Sequence, residues 1–182
     1  MSTLTETPLE SDQLIDGALL KVYRDTVQLP DKSTGVREWI DHPGASAVVP
    51  LFDDGSVLLI EQFRYPPRRT FLEVPAGKID QPDEDPAAVA ARELEEETGW
   101  RAGAFTKLSS LYPCIGYSNE IIHFFLARNL TKGTQDLSEG EHVTVVRMPF
   151  REAVQRAQRG EVKDMKSAMA LTLAQQFLHA GA

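Results

Sequence analysis

The chain reads as an α+β (mixed α/β) protein, and three observations say so. β-Branched and aromatic segments are bounded by Pro, Asp and Gly turn residues; strong helix caps enclose the stretch between Asp85 and Gly99; and strands and helices are interspersed with turns of antiparallel type. Residues 1–13, rich in Ser, Thr and Glu, read as a flexible, frayed start. Segments 18–27 and 36–40 flank Leu29-Pro30-Asp31-Lys32-Ser33-Thr34-Gly35, which predicts an antiparallel hairpin. Segments 45–52 and 57–63 flank Asp53-Asp54-Gly55 and predict a second hairpin. Further strands are expected over 70–75, 109–111, 120–127 and 142–148.

Asp85-Pro86 supplies an N-cap and a first-turn proline, and Gly99 a C-terminal stop, so a helix is expected between them. Its small Ala87, Ala88, Ala90 and Ala91 allow close approach to a sheet. Two more helices are expected over 150–158 and 164–179, separated by Gly160, the second burying a stripe that includes Met165, Met169, Leu173 and Phe177.

At 182 residues, 42% hydrophobic and 25% charged, the chain is long enough for one well-buried domain. Its formal charge of −8, without a Lys/Arg cluster, argues against a non-specific nucleic-acid binder. Cys114 is the only cysteine, which rules out a disulfide framework or thiolate metal site and fits a reducing cytoplasm. The first twenty residues hold no Lys or Arg, so no signal peptide is expected; no apolar run is long enough to span a bilayer.

Glu93, Glu96 and Glu97 share one face of the capped helix. Like charges at this spacing cost roughly 0.2–0.5 kcal/mol per pair, so a cation is expected to neutralise them. Oxygen donors without a Cys/His set favour Mg²⁺, or Mn²⁺, over zinc. An isolated Arg-Glu-Leu-Glu-Glu-Glu string is usually only a solvated helix face. Here the preceding glycine turn, the caps and the following Gly99-Trp100 favour a metal site and a metal-dependent reaction on phosphate.

The run Gly77-Lys78-Ile79-Asp80-Gln81-Pro82-Asp83-Glu84, followed by Arg92-Glu93-Leu94-Glu95-Glu96-Glu97-Thr98-Gly99-Trp100, resembles the Nudix box GX5EX7REUXEEXGU, where U is apolar. Its second half matches at every specified position. In the first half six residues rather than five separate Gly77 from Glu84, a one-residue insertion around Pro82-Asp83. Arg37-Glu38-Trp39, His42-Pro43-Gly44-Ala45, Glu61-Gln62-Phe63-Arg64-Tyr65, Glu73-Val74-Pro75-Ala76-Gly77 and the loop over 112–120 resemble the ADP-ribose pyrophosphatase branch of the Nudix hydrolase superfamily.

That resemblance implies a Nudix-type α/β/α sandwich over 45–182, with an N-terminal antiparallel β extension over 14–44 that takes part in a homodimer. It implies Mg²⁺-dependent hydrolysis of ADP-ribose and other nucleoside diphosphate sugars to a nucleoside monophosphate and a sugar phosphate. By the same resemblance, the Ala76 carbonyl, Glu93, Glu96, Glu97 and Glu141 are metal ligands, Arg92 holds the helix glutamates, and Glu139 is the general base. Arg64 is similar to the arginine that meets the diphosphate, and Arg37 and Glu38 to the pair bordering the base. Lys78, Cys114, Ile115, Gly116 and Glu120 fall where the sugar end is held. GDP-mannose or a dinucleotide stays open as substrate, as does a sensor that binds nucleotide sugar without turnover. The intact glutamate set and the absence of a DNA-binding extension argue against the sensor. A Ca²⁺-binding loop is disfavoured, because no twelve-residue run of alternating Asp/Asn ligands is present.

Overall fold

The structure, a computed structural model, describes residues 4–81 and 83–181. The chain forms two compact units, one of Met1–Pro43 with Tyr112–Ile121 and the other of Gly44–Leu111 with Ile122–Ala182.

In the first unit, β1 (Thr7–Asp16), β2 (Lys21–Gln28) and β3 (Thr34–Asp41) form an antiparallel sheet in that order. The expected hairpin is present: Lys32, at φ 73°, and the Leu29–Ser33 backbone hydrogen bond of 2.8 Å turn β2 into β3. Tyr23 and Trp39 stack across it at 5.1 Å between ring centroids. β1 departs from the expected frayed start, since a strand begins at Thr7. Every residue of β1 is exposed, so it is set by backbone pairing with β2 rather than by an apolar face, which is why no alternation announced it. Residues 1–3 of that stretch lie outside the described residues. The 112–121 segment joins this unit through the Ile40 N–H donating to the Tyr117 carbonyl (2.8 Å) and the Asn119 amide donating to Asp41 (2.6 Å).

The second unit contains β4 (Ala45–Pro50), β5 (Ser56–Arg64), β6 (Arg69–Glu73), β7 (Ala76–Lys78), α1 (Pro86–Thr98), β8 (Trp100–Leu111), β9 (Ile122–Lys132), β10 (Val143–Pro149), α2 (Phe150–Gln158) and α3 (Met165–Ala180). One sheet has the order β7-β4-β9-β8, with β4 and β9 parallel; the other is antiparallel, β10-β5-β6. Strand alternation sends Ala47, Val49, Phe124 and Leu126 into a core shared with β5, α2 and α3, and Val48, Phe125 and Ala127 into a smaller core under α1. Both faces of β4 and β9 are therefore covered at their centres, where Ala47–Val49 and Phe124–Ala127 run apolar.

Two sequence expectations change here. The turn at Asp53-Asp54-Gly55 forms, with Gly55 at φ 79° and the Phe52 N–H donating to the Ser56 carbonyl (2.9 Å), but β4 and β5 do not pair as a hairpin. Each already has a neighbour on both edges, so only the Leu51–Val57 bridge remains between them. On α3 the buried face is Ser167, Ala170, Leu171 and Ala174, while Met165, Met169 and Phe177 are exposed. Small side chains let the helix backbone approach the sheet closely, an advantage that the hydropathy of the methionines does not register; Leu173 packs at the edge of the core.

Candidate active site

α1 begins as the sequence predicts, with the Asp85 side chain accepting from the Ala87 N–H (3.0 Å), and ends at Gly99 in the left-handed conformation, φ 69°. Its last carbonyls are taken up by the loop leading to β10. The Asp136 N–H donates to the Glu96 carbonyl (3.0 Å) and the Gln135 side-chain amide to the Glu97 carbonyl (2.7 Å). The acidic loop over 137–141 is thus anchored to the helix end that carries the glutamates.

Glu97 is 2% exposed, and its carboxylate accepts the Ala76 N–H at 3.0 Å. Burial, then the charges of Glu93 and Glu141, push its pKa up to about 8, against the Ala76 hydrogen bond and the Lys166 charge. Glu93 is pushed up to about 7, mainly by burial and further by Glu96 and Glu141, with Arg92 opposing. Arg92 Nη1 donates to Glu93 (2.7 Å) and Glu96 (3.2 Å), and Nη2 to Asp80 (3.2 Å), so one guanidinium bridges three carboxylates. Gly77 has a steric purpose: a Cβ there would stand 2.0 Å from the Glu93 carboxyl carbon.

The structure brings Ala76, Arg92, Glu93, Glu96 and Glu97 together on β7 and α1 and sets Glu141 within electrostatic reach of Glu93 and Glu97. Glu139 stands exposed beside Gly140, with no hydrogen bond or ion pair to this group among the described residues. Lys78 is exposed, 3.7 Å from Asp80. Glu84 accepts from the Asp80 N–H (3.1 Å) and stands 4.0 Å from Arg92, closing the widened turn. Arg64 lies on β5 with its fork on Glu73, both bonds 2.8 Å. Arg37, Glu38, Cys114, Ile115, Gly116 and Glu120 belong to the other unit. There Arg37 pairs with Glu6, Glu38 with Arg24 (2.6 Å), Cys114 Sγ lies 3.2 Å from the Tyr117 hydroxyl, Ile115 is 83% exposed and Glu120 is 3.8 Å from His42.

The donor set suits a hard divalent cation: it is all oxygen, and two of its carboxyls resist ionisation because burial and neighbouring carboxylates outweigh the cations beside them. The space a Cβ at Gly77 would fill is given to a carboxylate. Among the described residues no three His, Cys, Asp or Glu side chains converge into a ready cage, because Arg92 and the Ala76 N–H take up the glutamates instead.

The sequence profile of the NUDIX domain matches residues 41–171. The chain belongs to the NUDIX domain family. It is 38% identical to an ADP-ribose pyrophosphatase of Bacillus subtilis over 94% of this chain and 93% of that protein. It is 36% identical to a GDP-mannose pyrophosphatase of Yersinia enterocolitica over 90% of this chain and 92% of that protein. A crystal structure of an ADP compounds hydrolase shares the fold, with a TM-score of 0.87 at 22% identity over 100% of this chain and 98% of that one. Nudix hydrolases generally need divalent metal ions.

Several residues around the Nudix helix escaped the sequence reading. Gln62 donates its amide to Glu141 (3.4 Å), and its Oε1 is buried without a partner. β-Alternation puts Gln62 on the same face of β5 as Arg64, a signal available in the sequence. Gln135 and Lys166 had none, since their partners lie 38 and 93 positions away in the chain.

Proposed function

We propose that this chain is a Nudix pyrophosphohydrolase that splits the pyrophosphate bond of ADP-ribose and related nucleoside diphosphate sugars, releasing a nucleoside monophosphate and a sugar phosphate. The observation that carries the reading is the pairing of buried Glu97 with half-buried Glu93 on one face of α1, Glu93 filling the space left by Gly77, where burial disfavours both charges. The names of the two relatives support pyrophosphate bonds of sugar nucleotides as the target. GDP-mannose is the second reading, favoured by the Yersinia relative.

Glu93, Glu96, Glu97, Glu141 and the Ala76 carbonyl would hold the metal, with Mg²⁺ the proposed ion and Mn²⁺ its substitute. Bound there, a divalent cation would neutralise phosphate oxygens and make a coordinated water more acidic. Arg92 would hold the helix glutamates in place, its Nη1 donating to both Glu93 and Glu96. Glu139, on an exposed loop, is free to swing and take the proton of the attacking water as general base. Arg64 offers a guanidinium edge to the diphosphate. Arg37 and Glu38 are assigned to the base, and Lys78, Cys114, Ile115, Gly116 and Glu120 to the sugar end.

A homodimer is part of the proposal. β1 exposes Leu9 (52%), Leu14 (45%) and Ile15 (51%), apolar surface that a second copy would cover. No helix among the described residues is long and apolar enough to cross a membrane, and the single Cys114 is consistent with a reducing cytoplasm as the proposed compartment. The test is turnover of a panel of nucleotide sugars with Mg²⁺ in ¹⁸O-labelled water, identifying both products and the labelled phosphate. Hydrolysis of ADP-ribose first, GDP-mannose second, and turnover strongly reduced in Glu97→Gln is the expected result. Tight binding of a nucleotide sugar without turnover would make the chain a sensor instead.

A further inference from the structure

Glu73 is 1% exposed at the end of β6, and its carboxylate is shared by two cations. Arg64 meets it with Nε and Nη2, each at 2.8 Å. Lys166 Nζ donates to the oxygen that also takes Arg64 Nη2. Lys166 is itself fixed, because Nζ lies 2.8 Å from Asp164 Oδ2, and Asp164 caps α3 by accepting the Ser167 N–H at 3.1 Å. The Ser167 hydroxyl in turn accepts the Val74 N–H (2.8 Å), so the residue following Glu73 is held by the same helix end. Burial works against ionisation of Glu73, but Arg64 and Lys166 together outweigh it and hold the carboxyl below the usual range.

For stability alone, an apolar set of the same volume would serve as well as buried charges. Direction is what the charges add. An arginine gripped through Nε and Nη2 has its Nη1 edge aimed, and Nη1 has no partner among the described residues, while the Arg64 side chain keeps 41% of its surface exposed. Lys166, at 17%, is the less accessible of the two cations.

We propose that Glu73 and Lys166 are positioning residues for substrate binding, a buried relay from the N-terminus of α3 that aims the open guanidinium edge of Arg64 at a phosphoryl group of the nucleoside diphosphate sugar. The proposal rests on Arg64 being a diphosphate contact. Removing Lys166 leaves Glu73 with one cation and lets the fork relax. The cost falls on substrate affinity rather than on the chemical step.

The experiment is a set of steady-state measurements with ADP-ribose and Mg²⁺ on Arg64→Ala, Lys166→Met, the double variant and Lys166→Arg. Arg64→Ala raises KM about 10–100-fold, the range of a lost charged hydrogen bond. Lys166→Met raises KM about tenfold with kcat within about twofold, the double variant is no worse than Arg64→Ala alone, and Lys166→Arg restores most of the loss. If Lys166→Met does not fold, Glu73→Gln with Lys166→Met removes both charges and is expected to reproduce the rise in KM. Independent, additive effects of Lys166→Met and Arg64→Ala, or an unchanged KM in the charge-free pair, overturn the relay. An Arg64→Ala variant with normal KM overturns the diphosphate assignment as well; a raised KM there with a normal KM in Lys166→Met overturns the relay alone.

Discussion

The Glu93 carboxylate occupies the place where a side chain on Gly77 would begin, with its carboxyl carbon 2.0 Å from that Cβ position. Gly77 lies outside the left-handed region, so the glycine is demanded by this approach and not by its backbone angle. Gly77→Ala is therefore expected to push Glu93 off the cluster while leaving the fold intact. Mg²⁺ affinity by calorimetry should fall roughly 10–100-fold, as for a displaced ligand, with little change in thermal midpoint.

The raised pKa values of Glu93, about 7, and Glu97, about 8, compare with an ordinary value of 4.5. The folded chain thus holds protons that the unfolded chain has released. Stability from these groups is complete below pH 4.5 and is lost as pH rises to about 8. Metal-free protein should show a falling thermal midpoint across that window, Mg²⁺ should restore it, and Mg²⁺ binding near pH 7 should release protons, measurable by calorimetry in buffers of different ionisation enthalpy.

Glu97→Gln removes a buried charge but keeps an oxygen to accept the Ala76 N–H, so its effects on stability and on function should diverge. The metal-free variant should melt higher than the parent at pH 8, and turnover should fall by at least ~10²–10⁴. A variant both less stable and fully active would contradict the cation-holding role.

The charge of Glu141 bears on Glu93 and Glu97 and that of Glu139 does not figure there, so substitutions of the two should separate. Glu139→Gln is expected to lower kcat about 10²–10³-fold with unchanged Mg²⁺ affinity. Glu141→Gln should weaken Mg²⁺ affinity first. Titrating metal against activity for both variants distinguishes them.

Gly99 combines φ 69° with a Cβ position 2.9 Å from the Gln135 nitrogen, at the point where the acidic loop is tied to α1. Gly99→Ala is expected to cost about 1–2 kcal/mol by denaturant unfolding, from the left-handed angle together with the clash.

The sequence by itself determined the elements whose causes are local. Asp85, Pro86 and Gly99 bound α1 because caps act within one turn; Glu93, Glu96 and Glu97 share a face because helical spacing puts them there; and the β2–β3 turn follows from its own residues. Tertiary structure decided whatever depends on partners far along the chain. It sent β4 and β5 into different sheets across a correct turn, since edge pairing is settled by β7, β9, β10 and β6. It chose the small-residue face of α3 over the methionines, drew Glu141 toward Glu97, and placed Lys166 on Glu73 across 93 positions. Burial made Glu97 hard to ionise, and burial is a property of the packed chain, which no window of neighbouring residues contains.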